Sequence, residues 1–180
     1  MKKPLFTALA FLLLQLPLPL AAHAERFQSI GTTDVYFSPK GGATAAVVAE
    51  IAAARSEILV QAYSFTSAPI AKALVDARKR GVRIVAVLDK SQRREKYTAA
   101  DFLAHAGIPT YIDAVHAIAH NKIIIIDRST LLTGSFNFTK AAEEKNAENL
   151  LILKGNKALT ERYVQNFAEH KAHAEEYAGK

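Results

Sequence analysis

His120, Lys122, Asp127, Ser135 and Asn137 lie close together in the chain. The stretch reads His120-Asn121-Lys122, four isoleucines, Asp127, six further residues, then Gly134-Ser135-Phe136-Asn137. These types suit displacement at a phosphodiester. A neutral imidazole can attack phosphorus, a lysine supplies a permanent positive charge, and hydroxyl and amide groups donate to non-bridging oxygens. Lysine and amide dipoles neutralise the developing charge, so the site is expected to work without a metal ion or other cofactor. A histidine used in this way needs a carboxylate on its other ring nitrogen to fix its tautomer. Glu148 is the first candidate for that role, ahead of Asp127, which falls at the far end of the same segment.

The spacing also says how those groups are positioned. His120 and Lys122 are two apart on a predicted strand, so they share a face. The isoleucines that follow cannot face water and anchor the strand in a core. Asp127-Arg128-Ser129-Thr130 is a polar break suited to a hairpin loop. Pairing Ile126 with Leu131 sets Lys122 opposite Ser135 and His120 opposite Asn137, close enough to share a ligand. A slip of one residue would undo that arrangement. Gly134, lacking a side chain, leaves room for a substrate to approach the backbone.

The rest of the chain alternates between strand and helix patterns. Strands are expected at 34–38, 57–65, 82–88, 109–112, 122–126, 131–134 and 149–153. Helices are expected at 43–54, 68–80, 99–106 and from 157 to about 177, with Ser67 as an N-cap and Gly81 as a stop. Strands that are apolar on both faces belong in a covered sheet. The expected fold is α/β, with a mixed, largely buried β-sheet sandwiched between helices.

Composition narrows the classes further. Half of the 180 residues are apolar, the formal charge is +6, and there is no cysteine. That rules out disulfides, thiolate metal sites and a cysteine nucleophile. Residues 1–24 have the pattern of a secretory signal peptide: Lys2-Lys3, an apolar run, then Ala22-His23-Ala24. Its removal takes away two lysines and no acid, leaving one mildly basic domain, 25–180, in the periplasm or outside the cell. The competing reading is a retained membrane anchor, since sixteen apolar residues nearly span a bilayer.

The defined positions His120-x-Lys122-(x)4-Asp127-(x)6-Gly134-Ser135-x-Asn137 match the HKD motif, so the chain resembles the phospholipase D superfamily. Phe136-Asn137-Phe138-Thr139 and Asn146-Ala147-Glu148-Asn149 resemble the small, exported, single-motif bacterial endonucleases of that superfamily. The resemblance implies a phospholipase D/nuclease-like fold and a two-step, metal-independent hydrolysis. One histidine forms a phosphohistidine intermediate and a second protonates the leaving oxygen. Because this chain carries one motif, the resemblance implies a homodimer with a shared active site. It makes His120 the nucleophile or acid, Lys122 and Asn137 phosphate ligands, Ser135 a support, Glu148 the residue that orients the histidine, and Asp127 more structural than chemical.

Several residues stand outside the motif. His116 has the same strand parity as His120 and is the alternative second histidine. His105, His170 and His173 fall on predicted helices and read as solvated, the last two giving a weak metal hint. Lys90, Arg93, Arg94 and Lys96 form either a solvated loop or a track for nucleic acid. Tyr63 and Phe65 read as core residues, Tyr97 as a residue able to stack on a base, and Glu143-Glu144-Lys145 as a solvated turn. The leading function is an endonuclease without sequence preference that acts on DNA, with RNA left open and no stable membrane association after signal cleavage. The alternatives are a phosphodiesterase directed at phospholipids and, from another class, a non-catalytic nucleic-acid-binding module.

Overall fold

A computed structural model of the chain describes residues 24–94 and 98–180. The signal-peptide reading, together with Lys96 and Tyr97, lies outside the described residues, apart from Ala24. Within them the elements are β1 (Thr32–Ser38), α1 (Ala43–Ala53), β2 (Glu57–Ala62), α2 (Ala68–Lys79), β3 (Arg83–Asp89), α3 (Ala99–His105) and β4 (Thr110–Asp113). Then follow β5 (Lys122–Ile126), β6 (Thr130–Gly134), α4 (Lys140–Glu144), β7 (Glu148–Lys154), α5 (Lys157–His173) and β8 (Glu175–Glu176). A single 3-10 turn at Lys90–Arg93 follows β3.

The strands form one mixed sheet in the order β1-β7-β6-β5-β2-β3-β4-β8. Pairs β2–β3 and β3–β4 are parallel and the others antiparallel. Alternation in β5 sends Ile124 and Ile126 to one face and Ile123 and Ile125 to the other. The first pair joins a large core with Val47 and Ile51 of α1 and Ile70 and Leu74 of α2. The second pair packs with Val164 and Phe167 of α5. All five residues of β5 are buried, Lys122 included. The α/β sandwich expected from the sequence is therefore the architecture observed.

Three local expectations are corrected. The β5–β6 loop has three residues, not four, so Ile126 pairs with Thr130 and the register is Ile124 with Leu132. Asp127 and Arg128 both adopt left-handed backbone (φ 50° and 51°), and the Ser129 amide donates to the Ile126 carbonyl at 3.1 Å. That tight reversal brings Thr130 into the ladder. Glu143 is no solvated turn residue, since it lies in α4. Its carboxylate accepts the Gly42 and Thr44 amides, at 3.0 and 2.7 Å, and so satisfies orphan donors at the start of α1. The last helix stops at His173 rather than near Tyr177. The chain then pairs with β4, where the Tyr177 amide donates to the Thr110 carbonyl and its hydroxyl to Asp101.

Candidate active site

The end of β5 and the residues just before it carry the motif's basic groups. Lys122 opens β5 opposite Ala62, and the Tyr63 amide beyond it donates to the Asn121 carbonyl at 2.8 Å. This cross-strand bond extends the β2–β5 pairing to the site. His120 is exposed just outside it, whereas Lys122 is 7% exposed. Lys122 Nζ lies 3.0 Å from His120 Nδ1 and 2.9 Å from the His120 carbonyl oxygen. A charged lysine can only donate, so Nδ1 accepts and the neutral ring carries its proton on Nε2. Burial pulls the Lys122 pKa below the ordinary lysine value, and the nearby Glu148 carboxylate partly offsets that.

Tyr63, expected in the core, is a member of this site. Its ring centroid stands 4.5 Å from that of His120, and Lys122 Nζ lies 5.1 Å from it. The aromatic face therefore stabilises the lysine charge while holding the imidazole. Phe65 is in the core as expected, edge-on to Phe138 at 5.7 Å.

Ser135 and Asn137 project from the segment after β6. Phe136 and Phe138, each 1% exposed, anchor that segment in the core. The Ser135 and Phe136 amides both donate to the Asn149 carbonyl at 3.1 Å, a bulge that ends the ladder. Ser135 Oγ accepts from the Asn149 amide at 3.0 Å and from its side chain at 3.2 Å. Asn137 Oδ1 is buried without a hydrogen-bond partner. With the corrected register, the pairs Lys122–Ser135 and His120–Asn137 are not opposed in the sheet. A Cβ at Gly134 would sit 2.3 Å from the Asn149 carbonyl oxygen, while the Gly134 backbone also borders the space beside Lys122. Glycine at this position permits close strand approach.

Glu148 and Asp127 take different roles from each other. Glu148 accepts from the Asn146 side chain at 3.1 Å rather than from His120, and acts on Lys122 through its charge. Asp127 sits at the other end of β5. Its carboxylate accepts the Arg55, Ser56 and Glu57 amides and the Ser56 hydroxyl, all within 2.9 Å, and so fixes the start of β2.

The remaining candidates separate from this site. His116 turns to Asp113, as do His170 and His173, which are therefore not simply solvated. Burial alone would raise the Asp113 carboxyl, but hydrogen bonds from His170, His173 and His116 outweigh it and bring the pKa down to about 2. Lys90 donates to the His116 carbonyl and Arg93 pairs with Glu175, so two cations of the basic segment are committed to the fold. His120, Lys122 and Gly134 line one wall of an open cleft of about 570 Å³, and Arg162, Tyr163 and Asn166 of α5 line another. The sequence offered no local signal for this helical wall, because α5 reaches the cleft through the tertiary fold.

Residues 47–171 match the family model described as cardiolipin synthase, PLD-like domain. A protein named phospholipase D from Rickettsia felis is 43% identical over 136 residues, which are 76% of this chain and 68% of that protein. The crystal structure of Nuc, a phospholipase D family member from Salmonella typhimurium, is 38% identical with a TM-score of 0.79, covering 82% of this chain and 99% of that one. NucT from Helicobacter pylori shares the fold at 21% identity with a TM-score of 0.75, covering 81% of this chain and 99% of that one.

Proposed function

The chain belongs to the phospholipase D superfamily of phosphodiesterases, and on that premise we propose that it is a metal-independent endonuclease that cuts DNA without sequence preference. The observation that carries the reading is the Lys122–His120 contact at the mouth of an open cleft. Asn121, Thr133, Asn166 and the Arg162–Glu25 ion pair give the cleft a polar lining, which suits a phosphodiester backbone better than acyl chains. The mildly basic 25–180 domain, with 21 lysines and arginines against 17 acids (21 − 17 = +4), and the 38% identity to Nuc support the same substrate class. The name of the Rickettsia relative supports the second reading, a phosphodiesterase acting on phospholipid head groups.

In the proposed reaction His120 attacks phosphorus, a P–N bond forms, and the P–O bond to the leaving nucleoside breaks. The leaving oxygen takes its proton from a second histidine. Water then attacks phosphorus, giving its proton to that second histidine, and His120 leaves. Lys122, Ser135 and Asn137 hold the non-bridging oxygens. His116 is engaged with Asp113, so the proposal draws the second histidine from a homodimer partner. Attack through Nε2 requires the ring proton to pass from Nε2 to Nδ1, so on substrate binding Lys122 Nζ leaves Nδ1 for the phosphate and a carboxylate takes its place. Since Glu148 is bonded to Asn146 in its own chain, Glu148 of the partner subunit is assigned this task. Residues 1–24 are proposed to be a cleaved export signal and 25–180 the working domain in the periplasm or outside the cell.

The test uses the purified protein and its His120→Ala variant on supercoiled plasmid DNA, RNA and phosphatidylcholine vesicles, with and without EDTA. DNA nicking should persist in EDTA and fall by at least about a thousand-fold in the variant. Hydrolysis of vesicles with intact plasmid would replace this reading with the lipid one. A requirement for added magnesium would overturn the mechanism.

A further inference from the structure

Away from the cleft, three histidines from two distant stretches of chain converge on one carboxylate. Asp113, the last residue of β4, has no exposed surface. Its Oδ2 lies 2.7 Å from His170 Nδ1, 3.0 Å from His116 Nδ1 and 3.3 Å from His173 Nε2. His170 and His173 share the last turn of α5, and His116 lies in the loop between β4 and β5. The ring centroids stand 4.8 to 5.5 Å apart and are mutually inclined, so the rings fan around a common point.

Held by hydrogen bonds alone, the cluster needs a ring proton from each of three histidines on one carboxylate. His116 Nδ1 also lies 3.2 Å from Oδ1, so the three ring nitrogens and the Val115 amide together take up all of the roughly four lone pairs of this carboxylate. Asp113 Oδ1 already accepts the Val115 amide at 3.2 Å. A cation among the four groups would instead use one lone pair from each. One donor atom from every residue lies within 4.8 Å of all the others. Donors around tetrahedral zinc, with bonds of 2.0–2.1 Å, stand about 3.3 Å apart, so small side-chain movements would close the shell. The carbonyl end of α5 adds negative potential beside it. The Val115 amide on Oδ1 supplies the kind of outer hydrogen bond that orients a carboxylate ligand.

We propose that Asp113, His116, His170 and His173 form a structural site for a divalent transition metal of the zinc class. All four tetrahedral positions come from protein, which marks the site as structural rather than catalytic. The metal fastens the loop at residues 114–121, and with it His120, to the end of α5. Other ties on that loop include Lys90 Nζ to the His116 carbonyl at 3.0 Å, the Ala119 amide to Asp89 at 2.8 Å and the Tyr63 amide to the Asn121 carbonyl at 2.8 Å. The ion takes no part in bond breaking, so the site stands apart from the proposed phosphohistidine chemistry.

The test is made on the full-length chain, expressed without a polyhistidine tag, purified, and stripped with EDTA. Titration with Co²⁺ should give one equivalent per chain and the intense visible bands of tetrahedral cobalt, which Zn²⁺ then bleaches. Zn²⁺ should raise the Tm by about 5 °C or more. His170→Ala should abolish both signals, and His173→Ala, at a partly exposed position, should weaken zinc affinity at least about ten-fold while keeping the fold. His120→Ala should keep both signals, which separates this outcome from failure of the nuclease reading. The proposal is overturned if the stripped protein takes up neither metal, or if His170→Ala and His173→Ala bind as tightly as the parent chain.

Discussion

Lys122 carries its charge where burial opposes it. The folded chain disfavours the protonated form, so its pKa lies below 10.5, with desolvation as the main cause and Glu148 resisting the shift. Charge needed for phosphate binding is therefore lost at lower pH than for an ordinary lysine. Over the same window the unfolded chain binds the proton more tightly, so this group's contribution to stability rises with pH. Glu148→Gln should move the alkaline limb of the pH–rate profile to lower pH and raise KM. A limb that stays in place would show that Glu148 does not support the lysine. His120, Lys122, Ser135 and Asn137 were legible because they share one short motif. Tyr63 was not, because alternation along β2 places it with core residues and its link to His120 crosses strands through Asn121. Neither was the convergence of His116, His170 and His173, which depends on where α5 ends.

At the scale of elements, the β5–β6 hairpin is held from both ends. Burial alone would raise the Asp127 carboxyl, but the Glu57, Ser56 and Arg55 donors lower it overall. A depressed carboxylate gives stability that is present above its unfolded value, near 3.8, and lost as pH falls through the lower folded one. Asp127→Asn should cost about 1–2 kcal/mol at neutral pH. The gap between variant and parent in urea melts should close below about pH 4. Activity per folded molecule should change little, since Asp127 lies at the opposite end of β5 from His120. Gly134→Ala is a harsher change. Its Cβ meets the Asn149 backbone oxygen and the residue sits at φ 148°. A loss exceeding about 2 kcal/mol is expected by thermal unfolding, with cleavage lost as Ser135 is displaced. Strands β1 to β7 were legible, β2 from its alternation and β3 and β5 from apolar β-branched runs, whereas β8 fell within the expected last helix. Their register was not, because it rests on a left-handed Asp127-Arg128 pair that composition does not announce. Helix α4 escaped notice because its five residues are too few to show a period.

At the scale of the molecule, the chain supplies one motif where the proposed chemistry uses two histidines. Activity per chain should therefore fall on dilution, in step with a dimer-to-monomer transition in sedimentation velocity. A fully active monomer would sink the shared site. Val115 and Ile118, 68% and 56% exposed in the loop before His120, are apolar groups that a partner could cover. The layered α/β architecture was legible from the order of strands and helices, but the strand order was not, since β7 enters between β1 and β6. That insertion also governs timing. Among the described residues, the first strand of the sheet pairs with β7 alone, with Thr32 beside Lys154 and Ser38 beside Glu148. An emerging or refolding chain must close a loop of more than a hundred residues before β1 has any partner, and such long-range closure slows folding. The Ser135–Asn149 contacts, which join residues 14 apart, likewise wait until β7 is present. The enzyme therefore has no complete site to offer until nearly all of its chain has been made.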